Sequence, residues 1–146
     1  MSTHVRQTDP FRWEGVRISP YKAGGSHFTG ITRQLLFDGG DGLGCQLRYF
    51  EIEPGGYSSL ERHHHAHAIM VIRGSGGAFV GDTVMDLGVN DLVRVPPLTW
   101  HQFRAGDMPF GFLCMVDCAR DVPERPDGAA LDALKSDPAI AEFIRI

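Results

Sequence analysis

The sequence predicts an all-β domain, a sandwich or a closed barrel, that ends in a short helical tail. Three observations lead there. Short apolar runs recur from Ile31 to Val116, and clusters of Gly, Pro and Asp stand between them. The 18 glycines are spread along the chain as punctuation and are not gathered in a linker. After Asp127 the apolar spacing changes to that of a helix. Many short strands with regular turns argue for a sandwich or barrel, and a closed barrel removes exposed strand edges.

The elements follow in order. Residues 1–30 read as an irregular arm in which Phe11, Trp13 and Tyr21 alternate with Gly and Pro. Strands are expected over Ile31–Phe37, Cys45–Glu53, Ser58–His63, His67–Arg73, Ala78–Val80, Thr83–Leu87, Leu92–Val95, His101–Arg104 and Phe110–Val116. The intervening turns contain Asp38-Gly39-Gly40, Pro54-Gly55-Gly56, Gly74–Gly77, Gly81-Asp82 and Ala105-Gly106-Asp107, residues that favour tight turns. Residues 31–118 would thus form the barrel and residues 119–146 the tail. In the tail Asp137 is a good N-cap and Pro138 a good first helical residue. Ile140, Phe143 and Ile144 fall on one helical face.

A chain of 146 residues is one domain's worth, with 42% hydrophobic and 22% charged residues. A net charge of −4 argues against nucleic acid as a partner. No stretch approaches the ~20 apolar residues of a membrane span. The segment Met1–Pro10 is polar and lacks an apolar signal core, which points to the cytoplasm. Cys45, Cys114 and Cys118 are odd in number and form no CxxC pair, so buried thiols are expected in place of a disulfide framework.

The chemistry concentrates in PGGYSSLERHHHAHAIMVIRGSG. Residues two apart on a strand share a face, so Glu61 and His63 project together. A tight turn over His64–Ala66 would let His67 open the next strand facing the same interior. His101 arrives from a later strand, after Val95-Pro96-Pro97. Three imidazoles and one carboxylate suit a divalent first-row ion: Fe, Mn, Ni, Cu or Zn. Four protein ligands leave one or two positions open, as a catalytic metal requires. The bland alternative is a solvent-exposed histidine tract. His64 and His65 are assigned to the turn or to a supporting role. By strand parity Tyr57, Ser59, Ile69, Val71 and Phe103 would line the pocket, where a small and partly apolar substrate would bind. For the three apolar residues the bland alternative is ordinary barrel core. Trp100 and Gln102 have the opposite parity and would serve the outer face.

These motifs resemble those of the cupin superfamily. Gly55, five residues, Glu61-Arg62-His63, three residues, His67, six residues and Gly74 reproduce the spacing of the first cupin motif, with Glu and His exchanged at two places. Asn90, Pro96, Leu98, His101 and Ala105 hold the places of the second, where Pro96 and His101 keep the expected identities. The resemblance covers about Gly44 to Val116. It implies a double-stranded β-helix, the jelly-roll barrel. It also implies homodimerisation through the N-terminal arm, with the arm aromatics as anchors or as caps on their own barrel. The ligand inventory is similar to that of quercetinase-like dioxygenases, so a dioxygenase-like oxidoreductase is the leading expectation, with Glu61 as ligand or detachable base. The alternatives are a metal-dependent lyase, isomerase or decarboxylase, a non-enzymatic metal- or ligand-binding module, and a metal-free sugar-epimerase-like cupin.

Overall fold

The computed structural model describes residues 2–146. Eleven strands and two helices are formed among them: β1 (Gln7–Asp9), β2 (Arg12–Trp13), β3 (Ile18–Pro20), β4 (Thr29–Phe37), β5 (Cys45–Tyr57), β6 (His67–Arg73), β7 (Gly76–Val80), β8 (Thr83–Leu87), β9 (Leu92–Val95), β10 (His101–Ala105), β11 (Phe110–Asp117), α1 (Gly128–Lys135) and α2 (Pro138–Phe143). β1 and β2 pair with each other. The remaining nine strands form one curled antiparallel sheet in the order β8-β7-β10-β5-β11-β6-β9, with β4 on β5 and β3 on β4. The fold is the predicted all-β barrel with a short helical tail.

Two expectations need correction. Residues 1–30 are not wholly irregular, because β3 adds to the sheet edge by pairing with β4. The expected turn at Pro54-Gly55-Gly56 and the separate strand Ser58–His63 are not formed. β5 instead runs on through the glycines to Tyr57. Gly55 takes φ +77°, and the β4–β5 register jumps from Ile31↔Ile52 to Thr29↔Tyr57. The extra residues make a bulge that bends β5 and hands it from β4 and β11 over to β10. A left-handed backbone position suits glycine, which has no Cβ to clash.

The barrel interior is apolar. Ile52, Ile69, Val71, Phe103, Phe110 and Phe112 belong to one buried cluster. A second cluster lies outside, where Ile140 and Ile144 of the tail pack on Leu60 and Phe79, with Trp100 and Phe143 at its margin. Both tail helices are capped as their sequences suggest. The Asp127 carboxylate accepts from Ala130 N–H, and that of Asp137 from Ala139 and Ile140 N–H. Gln102, fully buried, fastens the tail: its amide donates to the carbonyls of Ser58 and Arg145, and its oxygen accepts from Arg145 N–H. The arm aromatics pack on their own barrel. Phe11 stacks on Tyr49, Trp13 meets the same ring edge-on, and Tyr21 contacts Phe28 and Phe50. No helix among the described residues is long and apolar enough to cross a membrane.

Candidate metal centre

Three elements deliver the imidazoles. His63 lies between β5 and β6, His67 opens β6, and His101 opens β10. The backbone fixes their approach. Glu61 and His101 exchange both N–H···O bonds, at 3.2 and 3.0 Å. Leu98 N–H donates to the His63 carbonyl at 2.7 Å, and His67 sits opposite Val95 in the ladder. Leu98 and Asn90 hold the two places where the motif expects glycine, and both keep positive φ, +55° and +76°. The side chains have changed while the backbone shape that presents His101 has not.

Ligand atoms of His63, His67 and His101 lie within 4.8 Å of one another. Each ring is held from behind. His63 Nδ1 donates to the His65 carbonyl at 2.6 Å, and His101 Nδ1 donates to the Thr99 carbonyl at 2.9 Å. A carbonyl can only accept, so each Nδ1 carries the proton and each Nε2 keeps its lone pair. His67 Nδ1 lies 3.0 Å from Cys114 Sγ, which also accepts from Arg48 Nη2 at 3.3 Å. The Nε2 atoms of His63 and His67 stand 2.7 Å apart. Burial, followed by the neighbouring imidazoles, pushes His63 down to about 4, and burial likewise lowers His67 and His101. Neutral, oriented rings with converging lone pairs are the donor set that a first-row divalent ion takes. The residues therefore fit the implied metal.

The turn between His63 and His67 is anchored from a distance. The Asp121 carboxylate accepts from the N–H groups of His64 and His65 and pairs with His65 Nδ1 at 2.8 Å. These bonds hold Asp121 well below the usual carboxylate range. His65 in turn stacks on His63 with ring centroids 3.7 Å apart.

Glu61 is buried beside the imidazoles but stands outside the close group of three. Its Oε2 pairs with Lys22 Nζ from the arm. The two residues differ in exposure: the Glu61 side chain is 8% exposed, that of Lys22 29%. Glu61 is thus a carboxylate within a protein cavity whose counter-ion reaches solvent.

The interior cavity measures about 340 Å³ including its opening. Ile69 and Phe103 line it, as the sequence suggests, together with Tyr21, Phe50, Phe112 and Cys114. Val71 is buried in the barrel core, outside the lining. Tyr57 and Ser59 do not line it either; Ser58 does. The bend in β5 is the cause. Residues 58–61 are all buried in succession, so the two-residue alternation of a strand does not apply there. Ser58 Oγ accepts from Phe103 N–H. Tyr21, Lys22, Arg48, Cys114 and Asp121 were not assigned to the site from sequence, because each comes from far along the chain and none has a motif spacing. The Tyr21 phenol is pushed well up, first by burial and then by the Glu61 carboxylate, so it remains a neutral O–H donor.

Comparison with known proteins agrees with the fold. A family model described as Cupin domain matches residues 48–116. A Rhodospirillum rubrum protein named 1-methylthio-D-xylulose 5-phosphate methylsulfurylase is 50% identical over 136 residues, which cover 92% of this chain and 86% of that protein. The crystal structure of a cupin 2 conserved barrel domain protein from Rhodopseudomonas palustris superposes with a TM-score of 0.93 at 49% identity, over 99% of this chain and 100% of that one. The polyketide cyclase RemF from Streptomyces resistomycificus shares the fold at 22% identity, with a TM-score of 0.76 and 99% of each chain covered. The chain belongs to the cupin superfamily.

Proposed function

We propose that this chain is an enzyme that removes the methylthio group from a 1-methylthio ketose phosphate, the substrate in the name of its Rhodospirillum rubrum relative. The observation that carries the reading is 50% identity across nearly the whole chain. The imidazole triangle supports it, with His67 and His101 on the wall of a mostly apolar cavity. The relative's name denotes methylsulfur chemistry, so the dioxygenase-like expectation gives way to a non-oxygenase reading.

The chemistry suits the residues. In such a substrate C1 lies between a thioether sulfur and the C2 carbonyl. When the C1–S bond breaks and its electron pair withdraws into that carbonyl, C1 gains a proton and the methylsulfur group leaves to a thiol acceptor as a mixed disulfide. On this reading His63, His67 and His101 hold one divalent transition metal, with Glu61 able to complete the set. A divalent ion so held supplies Lewis-acid polarisation of a substrate oxygen. Glu61 holds or delivers the proton at C1, and Lys22 pairs with its carboxylate from the arm. Tyr21 donates its O–H toward substrate oxygen, while Ile69, Phe103 and Phe112 take the methylthio group and exclude water.

The test is direct. Protein loaded in turn with Mn, Fe, Ni, Cu or Zn is mixed with 1-methylthio-D-xylulose 5-phosphate and a thiol in deuterated water. Proton NMR should show loss of the sugar-bound S-methyl signal, a new methyl disulfide and one deuterium at C1. An unchanged sugar with every metal would refute the assignment.

A further inference from the structure

A second cavity opens outward from the first. It measures about 1210 Å³ including its open face, and Tyr21 and Glu61 line both. Its cationic lining comes from three separate parts of the chain: Arg17 and Lys22 from the arm, Arg33 from β4, and Arg125 from the segment before α1. Glu61 is its single carboxylate, and Lys22 already engages it. Among the described residues, Arg17, Arg33 and Arg125 have no carboxylate within 4 Å. Arg33 Nε is buried with no hydrogen-bond partner. In a chain of net charge −4, three arginines without counter-ions at one mouth need a physical reason. The positive field acts on the groups around it: after burial, Arg48 and Arg17 lower Arg33, and Arg125 and Lys22 lower His27 at the same mouth. A surface free to choose would scatter such charges, whereas an anion-binding mouth gathers them.

We propose that Arg17, Arg33 and Arg125 form the subsite for the phosphate monoester of a small sugar whose opposite end enters the cavity beside the imidazoles. In naming a sugar phosphate the proposal rests on the reaction read above. The arrangement suits a ketose 5-phosphate, which carries its reactive C1–C2 end and its dianion at opposite ends of one short chain. The shared wall of Tyr21 and Glu61 separates an apolar compartment for the first from a cationic one for the second. Guanidinium groups match phosphate oxygens in forked geometry, and loss of one charged hydrogen bond weakens binding by roughly tenfold or more.

The experiment is a calorimetric titration of metal-loaded protein with D-xylulose 5-phosphate, D-xylulose and inorganic phosphate. The wild type should bind the sugar phosphate at least about tenfold more tightly than the free sugar, with inorganic phosphate weaker than the sugar phosphate. The exposed pair R17Q/R125Q, whose side chains bear little of the fold, should erase the contrast, and R33Q should reduce it separately. Equal affinity for the two sugars, or a contrast that survives in both variants, would overturn the subsite. Inorganic phosphate binding as tightly as the sugar phosphate would overturn its assignment to a sugar ester. The reaction fails independently. A persistent phosphate contrast without methylthio transfer leaves the mouth standing. Transfer with equal kcat/KM on phosphate-free 1-methylthio-D-xylulose removes the mouth and leaves the reaction.

Discussion

His63 and His67 present their Nε2 atoms to each other at 2.7 Å, while the His65 carbonyl holds the far side of the His63 ring. Two lone pairs at that distance repel unless a cation or a shared proton lies between them. Metal should therefore bind tightly and stabilise the fold. Substituting His63, His67 or His101 by Ala should reduce the metal content from about one per chain to near zero, read by elemental analysis, with an unchanged β-sheet circular dichroism spectrum.

The metal-free protein should lose stability in acid. Folding lowers the His63 pKa from 6.5 to about 4. Between those values the unfolded chain binds more protons than the folded one, so stability rises with pH across the window and falls as pH drops through it. Calorimetric Tm should be several degrees lower at pH 5 than at pH 7. The His63→Ala variant should show a shallower slope.

Glu61→Gln separates holding from reacting. Three imidazoles remain, so metal content should persist. Loss of a general base or acid should reduce turnover about 10²–10⁴-fold. Loss of metal along with activity would show instead that the carboxylate is an obligatory ligand.

Asp121 acts through the turn it secures. Asp121→Ala should release the N–H groups of His64 and His65 and loosen the ring stacked on His63. Metal affinity, read by chelator competition, should fall about 10–100-fold, and the far-UV spectrum should not change.

Backbone conformation gives an opposed pair of outcomes. Leu98 holds φ +55° with a largely exposed side chain. Leu98→Gly should raise the unfolding free energy by about 0.5–1 kcal/mol, since glycine relieves left-handed strain. Gly74 at φ +66° would place a new Cβ 2.0 Å from the Pro109 carbonyl oxygen. Gly74→Ala should cost about 3 kcal/mol or more in urea unfolding.

The sequence was most readable where one residue's role is set by its nearest neighbours. Strand limits at His67–Arg73, Thr83–Leu87 and Leu92–Val95 match to the residue, because each is an apolar run cut by turn residues. Asp137-Pro138 marks the start of α2 for a local reason of the same kind. His63, His67 and His101 were readable because motif spacing encodes their convergence. Ser58 against Ser59 was not, since a bulge several residues upstream resets the alternation. Lys22 on Glu61, Arg48 on Cys114 and Asp121 on His65 were not readable either. Their partners lie tens of residues away, and only the closed barrel brings them together.

The bridge between Glu61 and His101 spans forty positions of chain and closes two motif segments onto each other. A nascent polypeptide that has emerged only as far as residue 100 owns two of the three imidazoles and the β9 segment that pairs with His67, but neither His101 nor β11 on the other side of β6. A cation that needs all three imidazoles would thus be captured only after His101 joins them, and a paramagnetic or coloured ion added during refolding would report that late closure, not the first collapse.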